Sequence, residues 1–119
     1  MKLRDLVDGL SSIQKLSELP LKLPVAHKLA KFINDTKTVL ELYEKRREAI
    51  IKENGEEQEN GSFNIPKDKI AFVNEEINKI LDESLKEMKI EIPKIKLEDL
   101  GDISFPAMDL AKLSKIIVE

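Results

Sequence analysis

The sequence predicts a mainly α fold: a long antiparallel helical hairpin with short terminal helices and a small extended (β) segment near 89–97, in a single helical domain spanning 1–119. Three observations predict it. Apolar residues recur three and four apart along two long stretches. A short polar loop bounded by Gly55 and Gly61 separates those stretches, which favours antiparallel neighbours. Aromatic residues make up only 4% of the chain and Trp is absent, so the core must be built mainly from Leu and Ile.

Leu3, Leu6, Leu10, Ile13 and Leu16 share one helical face. Gly9 is expected to divide it, because Ser11 followed by Gln14 has the capping-box form. This predicts a short helix near 3–8 and a second near 11–18. Pro20 and Pro24 force an extended link, since each disfavours helix at the residue before it. Pro24 suits a first helical turn, and the next helix runs to about Glu53. In it Ala26, Leu29, Ile33, Thr36, Leu40, Tyr43, Arg47 and Ile50 alternate spacings of three and four, the seam of two packed helices. Such a helix spans roughly 40 Å, more than the width of a compact domain of this size, so part of it projects or is covered by a second subunit. Asn54 and Gly55 supply the stop, with Gly55 in the left-handed conformation that follows many helices.

Residues 55–61 form an acidic turn with nothing apolar to bury, expected to be exposed and mobile. After a brief extended stretch at 62–65, Pro66 opens a helix to about Glu87, with Ile70, Val73, Ile77, Ile80, Leu85 and Met88 on its apolar side. Beyond Lys89 the period changes. Ile90 and Ile92 alternate with Glu91, and Ile95 and Leu97 take the other parity after Pro93, the pattern of a bent or bulged edge strand. Residues 98–102 read as a turn and 104–106 as a helix start. Met108, Leu110, Leu113, Ile116 and Ile117 then lie on a last helix reaching the C-terminus.

Composition excludes several classes of chemistry. The formal charge of −3 lacks the basic footprint needed to hold a nucleic-acid backbone. Without cysteine there is no disulfide, thiolate nucleophile or cysteine-ligated metal. No stretch approaches the roughly 18 apolar residues of a membrane span, and the start, Met1-Lys2-Leu3-Arg4-Asp5, lacks the form of a signal peptide. The isolated glycines form no phosphate-binding loop, and no cofactor is expected.

The remaining candidates are weak. His27 is the only histidine; it reads as a surface or interface residue, with service as a base to Ser11 or Ser12 as the lesser alternative. Glu56, Gln58, Asn60 and Gly61 follow the opening of an EF-hand loop, but Lys67 stands where the bidentate carboxylate belongs, so no metal is expected. Glu75-Glu76 and Asp82-Glu83 are adjacent on a helix and point about 100° apart. Pairing of Glu75 with Lys79 and of Asp82 with Lys86 explains them better than a shared cleft. Lys45-Arg46-Arg47 is flanked by Glu44 and Glu48, which cancel most of its field. No catalytic residue is assigned.

The order of pieces carries a resemblance. Met1-Lys2-Leu3, Ile13-Gln14-Lys15-Leu16, Leu23-Pro24-Val25-Ala26 with Ala30-Lys31, the acidic loop before Phe72 and Asn74-Glu75-Glu76, and the run from Ile92 to Leu100 occur together. A closing helix follows Ile103-Ser104. In this the chain resembles short, functionally unassigned proteins of tailed bacteriophages infecting low-GC Gram-positive bacteria. Phe105 departs from the pattern, in which Ser is followed directly by Pro. The resemblance implies a phage setting and transfers no catalytic residue.

The expected role is therefore a non-enzymatic phage structural or assembly protein working through helix-mediated protein contacts. The alternative is a phage inhibitor that occludes a host defence protein. The candidate interaction face is Leu29, Ile33, Leu40 and Tyr43, the stripe that one hairpin leaves over. Its expected partner is a second copy, a virion component or a host protein, with neither nucleic acid nor membrane involved. The expected location is the host cytoplasm or the virion. If the N-terminal helices and residues 103–118 fold back over the stripe, the chain is instead a monomer.

Overall fold

A single 32-residue helix, α2 (Leu23–Asn54), is the spine of the molecule in a computed structural model that describes residues 1–101 and 104–119. At 1.5 Å per residue it runs roughly 48 Å. That accounts for the long axis of a molecule measuring 51 × 28 × 22 Å. The Cα radius of gyration is 17.4 Å. A compact chain of this length would have about 13.5 Å.

Two helices divide the spine between them. α1 (Leu3–Ser17) lies along its N-terminal half, and α3 (Lys67–Leu81) returns along its C-terminal half. The turn into α3 is a small antiparallel hairpin of β1 (Glu56–Glu57) and β2 (Phe63–Asn64), with Glu56 opposite Asn64 and Glu57 opposite Phe63. The expected mainly α hairpin with short terminal helices is thus the observed fold. Leu3, Leu6, Ile13 and Leu16 of α1 are buried with Leu29, Phe32 and Tyr43 of α2. The C-terminal third closes the core from the far side of α1, through Leu85, Ile95, Leu113 and Ile116.

Several elements differ from expectation, in three cases because a segment distant in sequence packs or pairs there. α1 is one helix, and Gly9 is buried inside it rather than dividing it. Its first turn is capped by the Asp5 carboxylate, which accepts the Lys2 backbone N–H at 2.9 Å; Ser11 is merely exposed. Gly55 ends α2 in an extended conformation, φ −104° and ψ 164°, not a left-handed one.

α3 stops at Leu81 instead of about Glu87, since the following backbone is recruited by the N-terminus. Leu3 N–H donates to the Glu83 carbonyl at 2.9 Å, and Leu85 N–H donates to the Met1 carbonyl at 3.0 Å. Of the extended segment expected near 89–97, only β3 (Ile95–Lys96) is regular. Ile90 and Ile92 are half-buried, Pro93 and Ile95 are buried, and Leu97 is exposed.

Leu97–Leu100 is one 3-10 turn. Of the turn expected at 98–102 and the helix start expected after Ile103, residues 102 and 103 lie outside the described residues. The last helix does not reach the C-terminus. α4 (Ala107–Lys112) is followed by β4 (Ile117–Val118), which pairs in parallel with β3. The Ile116 carbonyl accepts the Ile95 N–H at 2.8 Å, so this β-branched end prefers strand pairing to a final helical turn.

Candidate functional site

Three of the four residues predicted for the interaction face lie close to the seam between α1 and α2, but they are not equally available. Leu29 and Tyr43 are core residues, 1% and 7% exposed. Of the segments considered as a cover, α1 lies over this side of the spine, whereas α4 packs on α1. Leu40 is half-buried, and Ile33 is 36% exposed. Ile33 and Leu40, seven residues apart, are therefore the part of the face still open to solvent.

Both line a groove between the two helices. Its walls include Leu10 and Ile13 from α1, Leu21 from the proline-bounded link, and Ala26, Ala30 and Ile33 from α2. The volume is about 600 Å³, and the rim is polar, with Gln14, Asn34 and Lys37 exposed. Ala26 and Ala30 explain why it stays open: each offers a single methyl group where a Leu at the same position would fill the space. A concave, mostly apolar surface with a few polar groups at its edge is the usual form of a binding site.

The other sequence candidates are dispersed or neutralised. His27 is exposed on α2 beside Leu23 and Ala30. Ser12, weighed as its partner, is buried on the other side of α1 and donates to Asp109. Arg46 of the basic cluster is held by Glu83 at 2.8 Å, and this hydrogen bond raises the guanidinium's pKa above its ordinary value. Arg47 lies 3.9 Å from Glu44. Lys79 does pair with Glu75 at 3.9 Å, and more closely with Glu76 at 3.1 Å. Asp82 turns instead to Arg4, 3.4 Å away, because the helix that would have aligned it with Lys86 has ended. Among the described residues, no three His, Asp or Glu side chains gather to hold a metal ion. Among the described residues no helix is long and apolar enough to cross a membrane.

One constellation went unseen in the sequence. The Asp109 carboxylate, 6% exposed, accepts from Ser12 Oγ at 2.7 Å and from Lys15 Nζ at 3.2 Å, tying α4 to α1. The Ser12 hydrogen bond lowers its pKa; burial acts in the opposite direction, and Lys15 and Lys112 add to the lowering. The nearest sequence signal was Asp109 in the first turn of the last helix, which also suits an ordinary helix start.

Comparison with protein-family models, with curated proteins and with solved structures finds no match for this chain.

Proposed function

We propose that this chain is a non-enzymatic structural or assembly protein of a tailed phage, acting through helix-mediated protein contacts. The observation that carries the mode of action is the open apolar groove between α1 and α2, which includes the exposed part of the predicted face. Ile33 is 36% exposed, so burying the remainder against another helix would recover roughly a third of the ~1.5–3 kcal/mol that complete burial of a large side chain is worth. The polar rim of Gln14, Asn34 and Lys37 would set the orientation of whatever docks. The phage setting is supported by the resemblance alone.

The test is deletion of the gene from a phage that carries it, with the protein followed through gradient-purified particles and assembly intermediates. Incomplete particles in its absence, and its presence in particles or intermediates, are expected. Normal particle yield and composition without it would overturn the proposal. A plating defect confined to hosts with a defence system would then favour the inhibitor.

A further inference from the structure

A second concavity on α2 shares no residue with the apolar groove and has a different chemistry. Its volume is about 230 Å³. Lys28 and Lys31 border it from α2, and Lys94 borders it from the segment between α3 and β3, against the single carboxylate of Glu91. The wall between these charges is apolar, made by Phe32, Ile92 and Pro93, of which Phe32 and Pro93 are buried. The chain as a whole carries −3, so three ammonium groups against one carboxylate reverse the sign of charge locally. A cleft with one sign of charge in excess and walls of low dielectric focuses the field and gathers counter-ions.

None of the three ammonium groups is firmly occupied. Lys28 forms no ion pair among the described residues. Lys94 donates to a main-chain acceptor, the Lys115 carbonyl at 3.0 Å, which leaves its charge uncompensated. Lys31 lies 3.2 Å from Glu91, but these side chains are 57% and 81% exposed. An ion pair so open to water is weak, and an incoming dianion can draw Lys31 away from it. Asp35, one turn beyond Lys31 on α2, lies outside the pocket.

We infer that this pocket binds the phosphate group of a small phosphate monoester, with Lys28 and Lys94 holding its oxygens and its organic body against the apolar wall. The charge selects the ligand. A phosphate monoester carries nearly two negative charges at neutral pH, which matches the two uncompensated ammonium groups, whereas a carboxylate satisfies one. All three cations are lysines, which engage phosphate as point charges and lack the planar fork that arginine offers to a carboxylate. Because the site is separate from the groove, it stands or falls independently of the assembly reading.

The test is a titration of the whole isotope-labelled chain at constant ionic strength near neutral pH, followed by backbone amide shifts, with phenyl phosphate, inorganic phosphate, benzoate and chloride as probes. Phenyl phosphate should saturate at millimolar concentration or below, with shifts confined to residues 28–32 and 91–94. Inorganic phosphate should bind the same residues several-fold more weakly, and benzoate and chloride should give no saturable shift. Lys28→Gln, which breaks no ion pair, should weaken phenyl phosphate roughly tenfold. Glu91→Gln removes the competing carboxylate and frees Lys31, so it should tighten binding. Lys37→Gln, in the groove, should leave it unchanged.

No saturable binding, shifts spread over lysines throughout the chain, or shifts matched by chloride would overturn the inference. So would binding that ignores Lys28→Gln or fails to tighten in Glu91→Gln. Inorganic phosphate bound as tightly as phenyl phosphate would overturn the monoester, since the apolar wall would then contribute nothing.

Discussion

Ser12 and Asp109 lie 97 residues apart in sequence and share a 2.7 Å hydrogen bond in the interior, the hydroxyl donating to the carboxylate. Lys15, one turn further along α1, adds its ammonium at 3.2 Å. Charged carboxylates are buried only when paired in this manner, so the contact fixes both the position and the rotation of α4 on α1.

A pH dependence follows. The pKa of Asp109 is lowered in the folded chain, first by the Ser12 hydrogen bond and then by Lys15, against the opposing effect of burial. A carboxylate with a depressed folded-state pKa contributes its stabilisation above the unfolded value, about 3.9. It loses that contribution as pH falls through the folded value. Thermal midpoints measured from pH 7 down to pH 3 should therefore fall less steeply on acidification for Asp109→Asn than for the native chain. Ser12→Ala should lower the midpoint by several degrees at neutral pH. Parallel acid limbs for the native and Asp109→Asn chains would show that this carboxylate does not anchor α4.

Gly9 is the second device that seats α4. A Cβ built on it would stand 3.2 Å from the Lys112 carbonyl oxygen, so the end of α4 rests close on α1 where even a methyl group fits only if that carbonyl shifts slightly. Helix propensity alone favours Ala over Gly by about 1 kcal/mol. Here the displaced carbonyl cancels that gain, and Gly9→Ala should lie within about 1 kcal/mol of the native chain. Gly9→Leu should destabilise by roughly 1–3 kcal/mol, the cost of overpacking. Urea midpoints decide; a Gly9→Leu chain as stable as the native one refutes the close approach.

These contacts explain which parts of the fold were legible in the sequence. α2 was, because Pro24 marks its start and its spacing is sustained over many turns. Gly9 was read as a divider since only local rules bear on it, while its reason lies at Lys112. The end of α3 was overrun because Leu85 and Met88 continue the helical spacing; what stops the helix is the pairing of Glu83 and Leu85 with the N-terminal backbone. The same limit applies to the groove. Leu29, Ile33, Leu40 and Tyr43 fall on one periodic stripe, and periodicity cannot tell which of them α1 will cover. Only the relative rotation of the packed helices leaves Ile33 open and Leu29 closed.

Gly55 was expected to end α2 by adopting a left-handed conformation, yet it is required for lack of space. A Cβ there would stand 2.7 Å from the Ile51 carbonyl oxygen, 3.1 Å from Ile65 Cδ1 and 3.2 Å from Phe63 Cβ. The Ile51 carbonyl already accepts the Gly55 N–H at 2.8 Å, so it cannot retreat without loosening the last turn. Gly55→Ala should cost roughly 1–3 kcal/mol. It should also quicken amide exchange at Gly55 and in the last turn of α2 more than in α1. Uniform exchange, or no loss of stability, would count against this packing.

Lys89 offers the opposite opportunity, a stabilising substitution. It is the one described non-glycine residue with positive φ, at 63°, and it is exposed. The turn that follows α3 closes there: Lys89 N–H donates to the Lys86 carbonyl at 3.0 Å and Ile90 N–H to the Leu85 carbonyl at 3.1 Å. That double closure is the usual ending of a helical turn, and it places the left-handed residue where glycine is normally found. A side chain in this conformation costs roughly 1–2 kcal/mol. Glycine removes the cost but gives up more conformational freedom on folding. The balance should leave Lys89→Gly more stable by about 0.5–1 kcal/mol. Lys89→Ala separates this from loss of the charge, because Ala keeps the Cβ and should gain nothing. Equal thermal midpoints for the Gly and Ala variants would mean that the left-handed turn at Lys89 stores no strain.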